Sequence, residues 1–413
     1  MQPAWVHQSS SLCHSLVRYT NMQLFIILIS LTLFIPYAAL IIYYRLSWNA
    51  IPGFTPDQAT SVKHQTFISV IIPARNEEKD LPALLKALSG QSYDKSLFEV
   101  IVVDDHSTDH TAAIVKQFNW PNIKLIRLAD HVDAPGINSY KKKAIETAIA
   151  QSNGELIVTT DADCVVPPGW LETIAAFYKK NDPALIVMPV SYSCRNNSLE
   201  IFQALDFMVL QGITGASVHK NIHSMCNGAN LAYSKKAFEE VEGFKGINNI
   251  ASGDDMLLMH KIYKRYPAGI KYLRSNAVIV HTAPMHSWKD FLNQRIRWAS
   301  KADKYDDKRI FVVLALVYFF NAWLLVLPLI AVFKNFQCSI FNMQFSILEL
   351  WLVLLLLKTI TELFFLYPVA TFFKKEKLLW WFPAAQPFHI LYTIIAGWLG
   401  KFGSYQWKGR KVK

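Results

Sequence analysis

The fold is decided by the stretch LIVTTDADC at residues 156–164. The run before the first Asp is apolar or β-branched, which predicts a buried strand. Two carboxylates one residue apart, Asp161 and Asp163, follow that strand directly. At the carboxyl end of a strand in an open α/β sheet, side chains project into the crevice where ligands bind. Two acids placed there repel each other unless a cation lies between them. The stretch therefore predicts a divalent-cation site, with a solvated Asp turn as the alternative.

Strand-like apolar runs alternate with helical spacing from residue 67 up to this stretch. The alternation predicts an α/β fold with a parallel, doubly wound sheet flanked by helices. No Gly-x-Gly-x-x-Gly follows the first strand, which argues against a dinucleotide-dependent dehydrogenase. The predicted strands are 67–73, 100–103, 123–128 and 156–160, and the predicted helices are 81–88, 111–118 and 141–151.

Hydrophobic residues make up 52% of the chain, so part of it is expected to lie in lipid. Three apolar runs are long enough to cross a bilayer as helices, at residues 22–44, 309–333 and 347–373. The first lacks a small-residue cleavage site, which predicts an uncleaved anchor followed by a linker at 45–66. A fourth run at 378–402 has basic residues on both flanks. We favour a re-entrant or interfacial segment there, with a spanning helix as the alternative.

The orientation in the membrane follows from the basic cluster KKEK at 374–377, because such clusters belong on the cytoplasmic side. The second and third apolar runs form a hairpin across the membrane, so the α/β domain at 67–308 shares that side. The sequence predicts a multi-pass integral membrane protein with a cytoplasmic domain, in the inner membrane if the source is bacterial. Lys358 and Glu362, four residues apart in the third run, could form a structural pair on one helix face, with a functional role inside the membrane as the alternative.

The formal net charge of +11 suits either nucleic acid or an anionic membrane surface. The apolar runs favour the membrane, and the soluble part lacks the interleaved aromatic and basic residues of single-strand binding platforms, so no nucleic-acid partner is expected. The five cysteines contain no Cys-x-x-Cys pair, which predicts neither a zinc site nor a disulfide framework.

Two polar segments directly follow the first two predicted strands, PARNEE at 73–78 and DDHSTD at 104–109. Both lie where a nucleotide binds in an open α/β sheet. Arg75 could face a base or a phosphate, and Asp105 could accept hydrogen bonds from a base or a ribose. The alternative for each segment alone is a polar turn with helix-capping residues.

Three further groups carry charge. The lysines at 141–143 work against the dipole at a predicted helix N-terminus, which suits a phosphate or else a solvated face. In the GDD sequence at 253–255, adjacent carboxylates offer a general base. In QRIRW at 294–298, helical spacing puts Gln294 on one face with Arg297 or Trp298. Arg can clamp a diphosphate, and Trp can stack on a sugar or lie at the membrane interface; simple membrane anchoring is the alternative.

In chain order, PARNE at 73–77, DDHSTD at 104–109, TDAD at 160–163, GDD at 253–255 and QRIRW at 294–298 resemble the motifs of the membrane-bound family 2 glycosyltransferases. That family includes polysaccharide synthases and ceramide glucosyltransferases. The resemblance covers about residues 67–300. It implies a GT-A-type Rossmann-like mixed sheet flanked by helices, with N-terminal and C-terminal transmembrane helices. It also implies a nucleotide-sugar donor, UDP-linked, and Mg²⁺ or Mn²⁺ as cofactor. The segment Cys226–Asn230 is similar to a family segment near the acceptor.

Carried over by position, the resemblance implies a role for each motif. Asp255, with Asp254 as the alternative, would be the catalytic base, and Asp163 with Asp161 would hold the metal. Tyr140 stands where the family commonly has Gly before the lysine, and Gly253-Asp254-Asp255 replaces the commoner Glu-Asp pair, which leaves the choice of base open. The nucleotide pocket would be lined by Pro73, Arg75, Glu77, Asp105, Lys141 and Asp161, and the diphosphate and acceptor would be held by Gln294, Arg297 and Trp298.

The resemblance implies inverting transfer of a sugar to an acceptor at the inner membrane face. The few predicted membrane segments favour a lipid or lipid-linked glycan over a polymer that needs its own channel. One alternative is the catalytic subunit of a processive polysaccharide synthase, with a partner subunit completing the channel. A second alternative is a non-catalytic membrane assembly protein.

Overall fold

A computed structural model of the chain describes residues 5–56, 66–131, 139–195, 197–222, 225–248, 250, 253–300, 307–333, 337–340, 343–403, 405–407 and 410–412. Side chains are described from residue 22 onward, except for 333–345 and 404–413. The central part of the predicted linker, 57–65, lies outside the described residues.

The strands of the α/β domain form two sheets. They are β1 (Ile68–Ala74), β2 (Phe98–Asp104), β3 (Ile123–Arg127), β4 (Leu156–Thr159), β5 (Cys164–Val165), β6 (Leu185–Val187), β7 (Val190–Tyr192), β8 (Leu231–Ser234), β9 (Ile270–Tyr272) and β10 (Val280–Thr282). The central sheet has the order β3-β2-β1-β4-β8-β6-β9, and a small sheet has the order β5-β10-β7. Strands β3, β2, β1 and β4 are parallel, whereas β8 runs antiparallel to β4 and β6. The central sheet is therefore mixed.

Helices flank this sheet and continue into long apolar segments. They are α1 (Trp5–Ala50), α2 (Leu81–Ser89), α3 (Thr111–Gln117), α4 (Tyr140–Ala150), α5 (Trp170–Asn181), α6 (Ser198–His219), α7 (Lys235–Glu240), α8 (Asp254–Arg265), α9 (Trp288–Ala299), α10 (Lys308–Phe333), α11 (Ile347–Phe372) and α12 (Phe382–Phe402). Short 3₁₀ turns lie at Lys95–Leu97, Leu128–Asp130, Asn276–Val278 and Glu376–Trp381. Two small hairpins pair β11 (Gln337–Ile340) with β12 (Met343–Ser346) and β13 (Tyr405–Trp407) with β14 (Arg410–Val412).

Both faces of the central sheet are covered, which explains why its strands are apolar throughout. Ile71 of β1 packs in one core with Ala144 and Ala148 of α4. Its neighbour Val70 points to the other face and packs with Leu84 of α2. Successive residues of a strand face opposite sides, so a strand buried on both faces loses the alternation of polar and apolar residues. The predicted α/β fold with a helix-flanked sheet is confirmed.

Four of the described helices are long and apolar enough to cross a membrane: Met22–Ala50, Ser198–His219, Lys308–Val332 and Ile347–Phe372. The first, third and fourth carry the apolar runs noted in the sequence and expose many large apolar side chains. The second, α6, is mostly buried inside the protein. Length and composition therefore leave three lipid-facing candidates and one core helix.

Helix α6 connects the α/β domain to the long helices through two close approaches at glycine. A Cβ on Gly212 would lie 2.7 Å from Val369 of α11. A Cβ on Gly215 would lie 2.8 Å from Trp48 of α1. Contacts this short exclude any side chain, so these glycines let α6 pack directly against the ends of α1 and α11. The end of α1 is also held by Arg274, whose Nη1 donates to the carbonyls of Trp48 and Ile51 at 3.2 and 3.0 Å.

Helix α12 lies alongside α9 and runs in the same direction. Phe388 stacks on Trp288 with ring centroids 6.0 Å apart, and Tyr392 meets Phe291 at 5.2 Å. At the other end, a Cβ on Gly400 would lie 2.7 Å from the side chain of Ala299. Helix α12 is outside the set of described helices that are long and apolar enough to span. It also packs on the long apolar helices, since a Cβ on Gly397 would lie 2.9 Å from Tyr318 of α10.

The predicted pair inside the third apolar run is confirmed. Lys358 Nζ lies 2.8 Å from Glu362 Oε1, and both side chains are buried. The same ammonium donates to Gln386 Oε1 of α12 at 2.7 Å, and Tyr37 of α1 donates its hydroxyl to Glu362. Buried charges are tolerated in apolar surroundings when their hydrogen bonds are satisfied. This pair therefore joins α1, α11 and α12, a role for Gln386 and Tyr37 that the spacing of Lys358 and Glu362 does not reveal.

Candidate active site

The loops after β1 and β2 are joined by hydrogen bonds at the carboxyl edge of the sheet. Asn76 N–H donates to Ser107 Oγ at 3.0 Å, and Glu77 N–H donates to Thr111 Oγ1 at 2.8 Å. Asn76 and His106 both have φ near +54°, so the chain turns sharply after each strand. The polar residues of the second loop thus shape the backbone of the first, and the motif acts at least in part as a scaffold.

Arg75 and Asp105 meet on this scaffold. Arg75 Nη1 donates to the carbonyl oxygen of Asp105 at 3.0 Å and lies 3.7 Å from its Oδ1. His106 Nδ1 lies 3.0 Å from the same Oδ1. Pro73 is half-buried near the end of β1, and Glu77 is half-buried after it. The four residues predicted for the base and ribose side, 73, 75, 77 and 105, therefore occupy one edge of β1 and β2.

A second cluster brings together acids that are distant in the sequence. Lys141, in the first turn of α4, places Nζ 2.6 Å from Asp161 Oδ1 and 3.3 Å from Asp254 Oδ2. Asp254 and Asp255 begin α8, directly after Gly253, whose φ is +81°. The loop after β4, the start of α4 and the start of α8 therefore converge on one ammonium group.

The backbone of Gly228 contacts this cluster and β4 through two hydrogen bonds. Its N–H donates to Asp255 Oδ2 at 3.1 Å, and its carbonyl accepts from Thr159 Oγ1 of β4 at 3.1 Å. A Cβ at this position would lie 3.2 Å from Asp254 Oδ2. A side chain here would press on the carboxylate, so the glycine allows the backbone to approach the acids.

Charge decides the protonation of Lys141. Burial alone would lower the pKa of its ammonium, but Asp161 and Asp254, helped by Asp255, outweigh burial and raise it. The lysine therefore stays charged at neutral pH. Asp163, two residues after Asp161, is exposed. Burial, followed by the charge of Asp163, raises the pKa of the Cys164 thiol.

The residues predicted to hold diphosphate and acceptor lie on α9. Gln294 Oε1 accepts from the Tyr192 hydroxyl of β7 at 3.3 Å, and Trp298 packs on Phe207 of α6 with ring centroids 6.2 Å apart. Arg297 is half-buried, and among the described residues no carboxylate forms an ion pair with it. Gln294 and Trp298 of α9 thus contact β7 and α6.

Sequence reasoning missed the residue that fixes α9, Arg295. Its Nη2 lies 2.6 Å from Asp206 Oδ2 of α6, and its Nη1 donates to Gln294 Oε1 at 2.6 Å. Tyr392 of α12 donates its hydroxyl to the other oxygen of Asp206. Asp206 is a lone acid in the middle of an apolar helix, and that isolation was the one signal of a buried partner.

The carboxylates of this cluster could hold a divalent ion such as Mg²⁺ if water and substrate phosphates supplied the remaining ligands. Within the described ranges no three His, Cys, Asp or Glu side chains are grouped to hold a metal. Asp161 and Asp254 nevertheless share one cation already, the ammonium of Lys141. Mg²⁺ is usually held by one or two carboxylates, with waters and substrate phosphates completing its shell. The oxygen donors here fit Mg²⁺ or Mn²⁺ on that condition.

Two protein-family models match this chain. The family model described as Glycosyl transferase family 2 matches residues 69–242, and the one described as Glycosyl transferase family group 2 matches residues 156–399. The second match covers more than half of the chain. The protein therefore belongs to glycosyl transferase family group 2, and the resemblance noted from its motifs is confirmed.

Individual relatives match shorter segments. The chain is 35% identical over 121 residues, 29% of its length, to poly(ribitol-phosphate) beta-N-acetylglucosaminyltransferase TarS of Staphylococcus aureus, and this segment is 20% of that protein. It is 33% identical over 160 residues to dolichyl-phosphate beta-glucosyltransferase ALG5D of Trichomonas vaginalis, covering 35% of this chain and 47% of that protein. The matched part of the chain thus spans less than half of either relative.

One solved structure covers nearly the whole chain. The mannosyltransferase PcManGT from Pyrobaculum calidifontis, in complex with GDP-Man and Mn²⁺, aligns with a TM-score of 0.56 and 19% sequence identity. The alignment covers 89% of this chain and 98% of that one. At this identity the likeness concerns the fold, and it confirms the predicted GT-A type.

Proposed function

We propose that the protein is an inverting glycosyltransferase that moves a sugar from a UDP-sugar to a lipid or lipid-linked glycan. The observation that carries the proposal is the convergence of Lys141, Asp161, Asp254 and Asp255 beside Gly228. Nucleotide-sugar transfer needs positive charge for a leaving diphosphate and a carboxylate base for the acceptor. This cluster brings both kinds of group together.

On the donor side, the Arg75–Asp105 edge would bind the nucleoside, with Pro73 and Glu77 lining it. Lys141 would neutralise part of the diphosphate charge, and the start of α4 favours an anion through its backbone N–H groups. Arg297 on α9 is a second cation for the same group, with Gln294 and Trp298 positioned beside the acceptor. These residue roles extend the motif resemblance to the positions found in the structure.

The environment of the two adjacent acids favours Asp255 as the base. Asp254 is paired with Lys141, which lowers its power to accept a proton. Asp255 accepts only from backbone N–H groups, from Gly228 at 3.1 Å and from Met256 at 2.7 Å, among the contacts within the described residues. The Asp255 carboxylate takes the proton of the acceptor hydroxyl as its oxygen bonds to the anomeric carbon. The bond to the diphosphate breaks on the opposite side, so the configuration inverts.

A divalent cation, Mg²⁺ or Mn²⁺, would be held by Asp163 and Asp161 together with the diphosphate. When bound, it would supply positive charge to the leaving group. Asp161 is the acid of this pair that also contacts Lys141, so it would orient the lysine toward the same phosphate.

The acceptor is proposed from the membrane architecture. The α/β domain at 67–308 packs against the ends of α1 and α11, and α9 lies beside α12. An acceptor could therefore reach α9 laterally from the bilayer. The relatives' names include a dolichyl-phosphate transferase, which favours a lipid-linked acceptor here. We place the domain on the cytoplasmic face because of the basic cluster at 374–377.

A labelling experiment tests the proposal. Membranes that contain the protein are incubated with a panel of labelled nucleotide sugars, and lipid and polymer fractions are extracted separately. We expect label in the organic extract. Label in insoluble polymer would instead support a polysaccharide synthase with a partner subunit. No incorporation from any donor, with folded protein present, would contradict an enzymatic function and favour the assembly role.

A further inference from the structure

The ammonium of Lys141 stands where the proposed function requires a divalent cation. It lies 2.6 Å from Asp161 Oδ1 and 3.3 Å from Asp254 Oδ2. We propose that Lys141 is an internal counter-ion that excludes free metal from Asp161 until a nucleotide diphosphate draws the lysine away. Metal would then enter together with the nucleotide. This inference rests on the proposed function and concerns the order of binding at that site.

Space and charge both make the two cations exclude each other. Mg²⁺ binds oxygen at about 2.0–2.1 Å, so an ion on Asp161 Oδ1 would lie within a few ångströms of the ammonium. The side chain of Lys141 is 23% exposed and that of Asp254 is 14% exposed, so water screens their interaction only in part.

The lysine has a reason to move once a diphosphate binds. It lies in the first turn of α4, where the helix dipole disfavours a cation and favours an anion. In the nucleotide-free protein, the acids Asp161 and Asp254 offset that cost. A diphosphate at the same helix end would satisfy both the dipole and the ammonium. Asp161 would then lose the neighbouring ammonium and gain affinity for a metal.

Linkage makes this exchange measurable. If nucleotide raises the affinity for metal by some factor, metal must raise the affinity for nucleotide by the same factor. Diphosphate oxygens that complete the metal's shell would supply one part of the coupling, and release of Lys141 from Asp161 would supply the other. Removing the lysine should therefore strengthen metal binding in the absence of nucleotide and reduce the coupling.

The test measures Mn²⁺ binding to the purified full-length chain by electron paramagnetic resonance, with and without saturating UDP. Protein-free titrations correct for the Mn²⁺ that UDP binds itself. For the unchanged protein we expect weak binding alone and tighter binding with UDP. For Lys141→Met we expect Mn²⁺ to bind about tenfold tighter without UDP, since a like charge about 4 Å away is removed. The gain on adding UDP should shrink.

Lys143→Met is the matched control. Lys143 lies on the same helix, carries the same charge and pairs with Glu146 at 3.0 Å, away from the acid cluster. It should leave Mn²⁺ affinity unchanged, which separates local exclusion from a change in net charge. Lys141→Arg keeps the positive charge and should bind Mn²⁺ as weakly as the unchanged protein.

Two results would overturn the inference. One is a folded Lys141→Met variant that binds Mn²⁺ no tighter than the unchanged protein does. The other, which needs no variant, is equal Mn²⁺ affinity of the unchanged protein with and without UDP. Neither measurement involves sugar transfer, so failure of the proposed function would appear separately, as absent incorporation of label.

Discussion

Adjacent carboxylates with unequal partners are the main feature of the site at the residue scale. Asp254 faces the ammonium of Lys141, whereas Asp255 accepts the N–H of Gly228. A carboxylate held by a cation is a weaker base than one held by neutral donors, because the cation stabilises the ionised form. We therefore propose that Asp254 orients Lys141 and that Asp255 takes the proton.

The substitution Asp255→Asn tests this division. Loss of a general base typically costs about 10²–10⁴-fold in rate. We expect transfer to fall by that amount while UDP binding, measured by calorimetry, stays close to normal, because the nucleotide edge at Arg75 and Asp105 is untouched. Asp254→Asn should reduce transfer less. Normal turnover by Asp255→Asn together with an inactive Asp254→Asn would reverse the assignment.

Metal removal gives a second prediction at this scale. Asp161 and Asp163 offer too few ligands to hold an ion without the diphosphate, so the metal should exchange readily. Excess chelator should therefore stop transfer within the mixing time, and added Mg²⁺ or Mn²⁺ should restore it. Transfer rates before and after chelation provide the measurement. Undiminished turnover in excess chelator would rule out a metal-dependent mechanism.

Much of this cluster could be predicted from sequence, and the reason is geometric. Asp105 and Asp161 follow parallel strands on either side of β1, so both residues lie at the carboxyl edge of the sheet. The contact between Lys141 and Asp254 was not predictable in the same way. It depends on where α8 docks, and nothing in the local pattern around Asp254 fixes that position.

At the scale of elements, α9 is held by a buried ion pair rather than by its amphipathic face alone. Arg295 and Asp206 are 4% and 3% exposed, and the guanidinium lies 4.6 and 4.3 Å from the rings of Phe291 and Trp298. Burial alone would lower the pKa of Arg295, but Asp206 more than reverses this and raises it. The pair therefore remains ionised.

Arg295→Met should destabilise the protein strongly, because it leaves the Asp206 carboxylate buried without a cation. Breaking one side of a buried pair costs about 3–5 kcal/mol. Tyr392→Phe, which removes one hydrogen bond to the same carboxylate, should cost about 1 kcal/mol. Thermal unfolding in detergent, monitored by circular dichroism, measures both.

Arg309→Met is the control for that comparison. Arg309 pairs with Asp307 at 2.6 Å, but its side chain is 56% exposed. Exposed pairs contribute about 0–1 kcal/mol, so this variant should unfold at nearly the normal temperature. Equal losses for Arg295→Met and Arg309→Met would show that Arg295 does not fix α9.

Helical periodicity in the sequence identified Gln294 and Trp298 of α9, but it did not identify the buried Arg295–Asp206 pair. The spacing of Gln294 and Trp298 placed them on one helix face, and both do contact the domain through Tyr192 and Phe207. Asp206 gave no such signal, because α6 is apolar around its whole circumference. A helix buried on all sides has no polar face from which an orientation could be inferred.

At the scale of the whole molecule, the α/β domain is fastened to the ends of α1 and α11. The guanidinium of Arg274 lies 4.9 Å from the ring centroid of Trp48 and 5.7 Å from that of Phe372, while Gly215 lets α6 approach Trp48.

The alternation of strands and helices predicted the domain, but not the antiparallel β8. That strand lies beyond the alternating region, and it pairs where the chain returns after α6.

The last prediction concerns whether α12 crosses the membrane. Helix α12 contacts α9 in parallel from Phe388 to Gly400, and it also contacts α10 through Gly397 and α11 through Gln386. A spanning α12 would place Lys401 on the side opposite the basic cluster at 374–377, against the charge rule. We therefore expect an interfacial helix, with residues 377 and 401 on the same side.

Single-cysteine variants, made in a background without the native cysteines, decide this point. Lys377→Cys and Lys401→Cys should react with a membrane-impermeant maleimide only in inverted vesicles. Ser346→Cys, at the start of α11, should react only from the opposite side and serves as the control. If Lys401→Cys reacts like Ser346→Cys, α12 spans the bilayer. In that case its packing along α9 would have to continue through the hydrocarbon core, and an acceptor could not reach α9 from that flank.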